Sequence, residues 1–239
     1  MYELPLFPLN VVLFPGMPLR LQVFEERYQI MMQRVLQTNY TFGVSLIKSG
    51  VEANGPLPEP YLTGCTARVV QADPLPDGRL NVTVLGDERF RVLMLGSTGA
   101  YLNAFVENIP LQRQETEGVA RRVRVLRKKM IRYLTLLSKY VQQEQAGDEG
   151  MESSPGGDET VEARLNLSEL HMPEDPMMLT YLAAALLQLP PSEKQPILEV
   201  DTLTQLLEMV QRIYRRELAV LPQLMQVSDE EARLFAWMN

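Results

Sequence analysis

The stretch Leu4-Pro-Leu-Phe-Pro-Leu-Asn-Val-Val-Leu-Phe-Pro-Gly-Met-Pro-Leu-Arg-Leu-Gln-Val-Phe-Glu-Glu-Arg-Tyr28 decides the fold. It is apolar, carries no charge before Arg20, and is punctuated by Pro5, Pro8, Pro15 and Pro18. Each proline lacks a backbone N–H and restricts the residue before it, so one long helix is forbidden. Short extended segments broken by turns are expected, with Pro15-Gly16 as the sharpest turn. Glu25 to Gln37 then reads as the first helix, with Phe24, Tyr28, Met31 and Val35 on its buried face.

Working outward, extended character returns at Thr41–Ile47, after which 48–60 is a loop rich in Gly, Pro and Asn. Leu62–Ala72 alternates as a strand, Asp73–Gly78 is a turn cluster, and Leu80, Val82 and Val84 alternate in the next strand. These two predict a hairpin. Gly86-Asp87-Glu88 reads as a bend, followed by strands at Arg89–Leu95 and Tyr101–Asn108. Pro110 closes the β-rich part.

Beyond it, Val119, Val123, Leu126, Met130, Leu134, Leu137 and Val141 step by three and four, which predicts a long helix from Glu117 to about residue 143. The acidic, Gly- and Ser-rich segment at about 145–163 predicts a mobile loop. Asp175-Pro176 opens a helix through Leu189 that is apolar nearly all round and therefore belongs at the centre of the helical part. Pro190-Pro191 ends it. Ser192 with Gln195 predicts a capping box for a short helix to Glu199, and Asp201 predicts the cap of a last helix with the stripe Leu203, Leu206, Leu207, Val210, Ile213, Tyr214 and Leu218.

Three sets of these residues resemble the Lon protease N-terminal, or substrate-binding, domain family. The first is Leu6-Phe7-Pro8-Leu9, Val11 to Gly16 and Phe24 to Tyr28. The second is Gly64, Asp77-Gly78, Gly86 and Arg89. The third is Lys194 to Glu199 followed by the helix ending at Arg216-Glu217. Together they span roughly residues 3–219. The resemblance implies an α+β protein: an N-terminal barrel-like antiparallel β-domain, PUA-like, over 1–112, and a C-terminal helical bundle over 113–239. It implies a non-catalytic module that binds unfolded or exposed segments of client proteins, as an adaptor beside a protease or chaperone.

Composition narrows the chemistry. A net charge of −7 disfavours non-specific binding to nucleic acid or anionic membrane. Cys65 and His171 are single, which removes disulfide frameworks and multi-cysteine or two-histidine metal motifs. No cofactor is expected. No signal peptide and no membrane-length apolar run is visible, so a soluble, cytoplasmic protein is expected. The sequence holds no Gly-Lys-Ser or Gly-Lys-Thr of an ATPase phosphate loop, and the Ser–Lys peptidase module that follows this region in full Lon proteases is not found.

His171 reads as a loop or cap residue, and Cys65, at mid-strand, as a small core residue. Adjacent acids such as Glu25-Glu26, Asp87-Glu88 and Glu230-Glu231 do not face each other, so they form no carboxylate pair. Phe7, Phe14 and Phe24 read as core anchors. Thirteen methionines read mainly as adaptable core filling. One cluster stands out: Arg121, Arg122, Arg124, Arg127, Lys128, Lys129 and Arg132 crowd the long helix of an acidic chain. It is either a solvated helix face or a patch for an anionic partner, nucleic acid being the alternative function. The residues that would touch a bound peptide are not legible at this level.

Overall fold

The computed structural model describes residues 1–97, 99–113, 117–148 and 172–237; side chains at 97, 141–148 and 224–237 are not described. The elements run β1 (Tyr2–Leu9), β2 (Pro18–Val23), α1 (Glu26–Gln37), β3 (Thr41–Ser49), β4 (Glu59–Pro60), β5 (Thr63–Pro74), β6 (Leu80–Ser97) and β7 (Leu102–Asn108). The helices α2 (Glu117–Asp148), α3 (Pro176–Leu186), α4 (Pro191–Glu199) and α5 (Leu203–Trp237) complete the chain. The protein is α+β, with a sheet of seven strands and a helical end.

The strands follow the order β1-β7-β6-β5-β3-β4, and β1 also pairs with β3, which closes a ring. That closing pair is parallel, with Leu6 opposite Gly43 and Leu9 opposite Leu46, whereas the other pairings are antiparallel. Parallel neighbours need a crossover, and residues 10–40, carrying β2 and α1, supply it. The expected barrel-like antiparallel sheet is thus present, with one parallel seam where β1 meets β3.

The expected bend at Gly86–Glu88 is corrected by the structure. One continuous strand, β6, runs through it, and the ladder slips between Cys65–Arg89 and Ala67–Gly86. The extra residue makes a β-bulge, which bends and twists the strand without ending it. Thr66 fixes the bulge: its hydroxyl accepts from the Glu88 amide at 2.9 Å and donates to the Glu88 carbonyl at 3.1 Å.

Alternation sets the inner face. Phe7, Tyr28, Met31, Met32, Phe42, Val44, Cys65, Ala67 and Val84 pack together under α1, and Leu4, Leu6, Phe90, Val92 and Val106 fill the ring's other end. Phe24, expected as a core anchor, is 50% exposed, because it precedes the first helical turn and points away from the stripe.

The helical core joins Leu126, Met130, Tyr133, Leu179, Ala183, Leu206 and Tyr214 to Val12, Phe14, Leu46 and Leu111 from the β part. As expected, α3 is central; burial of a leucine such as Leu179 is worth about 1.5–3 kcal/mol. Asp175 caps it, accepting from the Met178 amide at 2.9 Å. Two other caps differ from expectation. Ser192 caps nothing, because α4 starts one residue earlier behind Pro190. Thr202 replaces Asp201 at the start of α5: its hydroxyl accepts from the Gln205 amide, and the Gln205 side chain accepts from the Thr202 amide. That is the reciprocal capping box.

Candidate functional site

One part of the residues that carry the family resemblance, Phe14 to Gly16, Gly86, Arg89, Lys194 and Gln195, meets at the seam between ring and bundle. The turn Phe14-Pro15-Gly16 lies on β6, with the Gly16 amide donating to the Gly86 carbonyl at 2.8 Å and the Gly86 amide to the Met17 carbonyl at 2.9 Å. Gly16 has φ of +77°, and a Cβ there would run into the Met178 methyl. A Cβ on Gly86 would stand 2.3 Å from the Phe14 carbonyl oxygen. Glycine is required at Gly16 by its positive φ and at Gly86 by the close approach of the Phe14 backbone.

Arg89 is 3% exposed. Its guanidinium donates to the carbonyls of Leu198 at 2.7 Å, Ile109 at 2.9 Å and Val200. It thereby ties β6 to the end of α4 and to the segment entering the bundle. A planar fork of donors suits several carbonyls at once. Gln195 donates to the Thr63 carbonyl at 3.0 Å, and Lys194 to the Ala185 carbonyl at 3.0 Å, at the end of α3. Burial pulls the Lys194 ammonium below its ordinary range. Arg216 bridges Glu193 at 2.6 Å and Glu217 at 3.0 Å. These motif residues hold the fold together.

A cleft of about 390 Å³ opens at this seam, lined by Pro15, Asp87, Glu88, Arg113, Met177 and Tyr181 among others. The Tyr181 phenol is pushed up to about 12 by burial. It stays neutral at physiological pH.

The basic cluster separates into two sets. Arg122 pairs with Glu208, Arg127 donates to the Pro173 carbonyl at 3.1 Å, and Lys129 donates to the Gln211 carbonyl at 3.2 Å. These three knit α2 to its neighbours. Arg121, Arg124, Lys128 and Arg132 are exposed, and steps of three and four residues put them on one helical face. None of these four has an ion-pair partner among the described residues. Exposed Val125 and Ile131 lie between them.

The other candidates are quiet. Cys65 is fully buried, and burial pushes its thiol far up, so thiolate does not form at neutral pH. His171, Glu230-Glu231 and most of the acidic segment at 145–163 lie outside the described residues and side chains. Glu25 pairs with Arg27 at 2.9 Å. Among the described residues, no group of three or more His, Cys, Asp or Glu could hold a metal ion, and no helix is long and apolar enough to cross a membrane.

Sequence reasoning missed an opening in the ring wall. β2 pairs only with β6, and β1 pairs with β7 only over Tyr2–Leu6. Among the described residues, the second edge of β2 and the β7-side edge of β1 at Phe7–Leu9, whose other edge pairs with β3, therefore have no strand partner. A groove of about 230 Å³ lies there, lined by Phe7, Leu9, Arg20 to Glu25, Tyr28, Glu52 and Ala53. Phe7 and Tyr28 stack with centroids 4.1 Å apart. Tyr28 is 2% exposed, and its hydroxyl has no hydrogen-bond partner. Burial pushes this phenol up, against the pull of Arg27. The available signal was the alternation of Leu19, Leu21 and Val23 with Pro18, Arg20 and Gln22.

Fold and site together define a domain of known class: a closed strand ring with one open edge, locked to a helical bundle. Residues 3–216 match the ATP-dependent protease La (LON) substrate-binding domain, and the chain belongs to that family. It is 25% identical over 213 residues to Lon protease 1 of Hydrogenovibrio crunogenus, covering 89% of this chain and 23% of that protein. It is 24% identical over 229 residues to Lon protease 2 of Syntrophobacter fumaroxidans, covering 95% of this chain and 26% of that protein. The chain thus spans about a quarter of the length of the curated relatives it matches.

Among solved structures it superposes on a Lon N-terminal domain protein from Xanthomonas campestris with a TM-score of 0.60 at 23% identity, covering 89% of this chain and 98% of that one. The N-terminal domain of the Mycobacterium avium complex Lon protease gives a TM-score of 0.58 at 14% identity, covering 91% of this chain and 98% of that one. Both likenesses are of fold. Family membership supports a substrate-binding role.

Proposed function

We propose that this domain holds unfolded or exposed segments of client proteins, performs no chemistry on them, and presents them to a protease or chaperone as an adaptor. The observation that carries this reading is the match to a substrate-binding domain over residues 3–216. A barrel with an unpaired edge beside an apolar groove supports it, since such edges capture extended chains through main-chain hydrogen bonds. Buried, thiol-only Cys65 suits work in a reducing cytoplasm. The test is fluorescence anisotropy with a labelled, permanently unfolded model protein. Binding with Kd on the order of 10 μM is expected, and no binding at ~100 μM overturns the reading. ATP hydrolysis and peptide cleavage by the pure chain are expected at background.

A second reading rests on the exposed face Arg121, Arg124, Lys128 and Arg132. On it the domain binds nucleic acid through phosphate contacts. RNA and DNA retention would then fall steeply with salt, with a log–log slope of about −3 to −4 if all four cations engage phosphates. Charge reversal at the four positions that leaves retention unchanged removes this reading.

A further inference from the structure

We infer that the client segment is bound as an added β-strand in the opening between β1 and β2, and that the segment alternates apolar with polar residues and carries an acid at an outward position. This rests on the client-binding reading above and names its site and chemistry.

The backbone makes the first argument. β2 has one paired edge, against β6, and one without a strand partner among the described residues. An unpaired edge presents a row of N–H and C=O groups that another extended chain satisfies. A strand of six residues spans roughly 20 Å at about 3.3 Å per residue, enough for several ladder bonds.

Side-chain alternation makes the second. Leu19, Leu21 and Val23 turn inward from β2, while Pro18, Arg20 and Gln22 turn outward. Neighbouring strands keep their pleats in phase, so alternate residues of an added strand would also face inward. There they meet the stacked pair Phe7 and Tyr28. These positions therefore select Val, Ile, Leu or an aromatic residue. The Tyr28 hydroxyl, buried without a partner at this groove, is a polar group awaiting one. A carbonyl of the added chain would accept from it.

Charge makes the third. Glu25 is engaged by Arg27, and Glu52 accepts from the Asn10 amide at 2.8 Å. Arg20 is exposed and has no ion-pair or hydrogen-bond partner among the described residues. Of the two groove charges without an ion-pair partner among the described residues, the Glu52 carboxylate is turned to the Asn10 amide, and Arg20 is the cation on β2 that complements an acidic residue at an outward position of the segment. Pro18 and Arg20 also discourage pairing between two copies of this edge, because proline lacks a donor and like charges repel.

The experiment uses the full chain and a labelled peptide of about ten residues alternating Val or Phe with Ser or Thr, with one Glu at a polar position. A second peptide carries N-methyl groups on alternate amides, and a third has Lys for Glu. Hydrogen exchange of the wild-type chain is read with and without the first peptide. Expected are slowed exchange within residues 18–23, roughly tenfold weaker binding of the methylated peptide and roughly threefold weaker binding of the Lys peptide. The preference for the Glu peptide over the Lys peptide reverses in Arg20→Glu, a position that is exposed, so that folding stays intact. Leu21→Asp weakens the first peptide at least tenfold. Should Leu21→Asp fail to fold, the wild-type exchange and the Arg20→Glu swap decide alone. Peptide binding with exchange slowed only outside residues 7–9 and 18–23, and with no effect of N-methylation, overturns the site while leaving client binding standing. Absence of binding to both the peptide and the unfolded model protein overturns the client-binding reading itself.

Discussion

The two sides of the strand ring are built on opposite terms. At the seam with the bundle, Arg89 serves three carbonyls, Gln195 and Lys194 reach across to β5 and α3, and Gly16 and Gly86 let two backbones touch. At the opening, among the described residues, one edge of β2 is without a strand partner and the buried Tyr28 phenol has no acceptor. Buried polar atoms without a partner among the described residues occur on both sides, the Tyr181 hydroxyl and Gln195 Oε1 at the seam and the Tyr28 hydroxyl at the opening, so what sets the opening apart is its strand edge. The difference teaches that the seam members of the family motifs, Gly16, Gly86, Arg89, Lys194 and Gln195, are structural ties. Phe7, Leu9, Phe24, Glu25 and Tyr28, which also belong to the motifs, line the groove instead. The strand edge of the groove carries no motif, because an extended chain is held mostly by backbone, which any sequence supplies.

Substitutions can break or sharpen this contrast. Arg89→Ala is expected to have the largest effect, a loss of about 3–5 kcal/mol in urea unfolding, since three carbonyls lose a charged donor at once. Arg89→Lys recovers less than half of that loss, because an ammonium cannot present the fork. Peptide affinity per folded molecule should stay the same in both; a specific loss of affinity would place Arg89 in the binding site and erase the contrast.

Gly86→Ala follows, at about 1–3 kcal/mol, because its Cβ meets backbone that cannot swing away. An unchanged midpoint would show that the Phe14–Gly16 turn is free to lift from β6. Thr202→Ala costs about 1 kcal/mol through loss of the α5 cap, whereas Asp201→Ala stays within about 0.5 kcal/mol. Equal effects would return the cap to Asp201.

The smallest effect on stability is expected on the outer face of α2. Arg121→Glu, Arg124→Glu and Lys128→Glu should each shift unfolding by no more than about 0.5 kcal/mol, while Arg122→Glu, which breaks the tie to Glu208, shifts it further. Cys65 offers a check without mutation. Its buried, neutral thiol should react with an aromatic disulfide reagent only after unfolding, and fast reaction in the native state would show that the ring breathes at β5.

Much of the fold was legible locally. Apolar steps of three and four located α1, α2 and α5, and Asp175-Pro176 before a run apolar nearly all round marked the start of α3. The failures share a cause. Gly86–Glu88 resembles a turn in composition but lies in a bulge held by Thr66 from the neighbouring strand. Phe24 is large and apolar, yet its place before the helix sends it to solvent. Ser192 and Asp201 are good cap residues, but α4 is capped two residues earlier at Pro190 and α5 one residue later at Thr202. The seven cations could not be divided in sequence, because the partners of Arg122, Arg127 and Lys129 lie on α5 and in the segment before α3.

The sequence by itself determined which segments are helix and which are strand, and the family to which they add up. These follow from periodicity, proline geometry and cap chemistry, which act over a few residues. Only the tertiary structure decided that β1 closes the ring in parallel on β3 while β2 keeps one edge free. Strand pairing joins residues far apart in the chain, and the backbone groups that make it are the same at every position. No side-chain pattern announces which edge will be left without a partner.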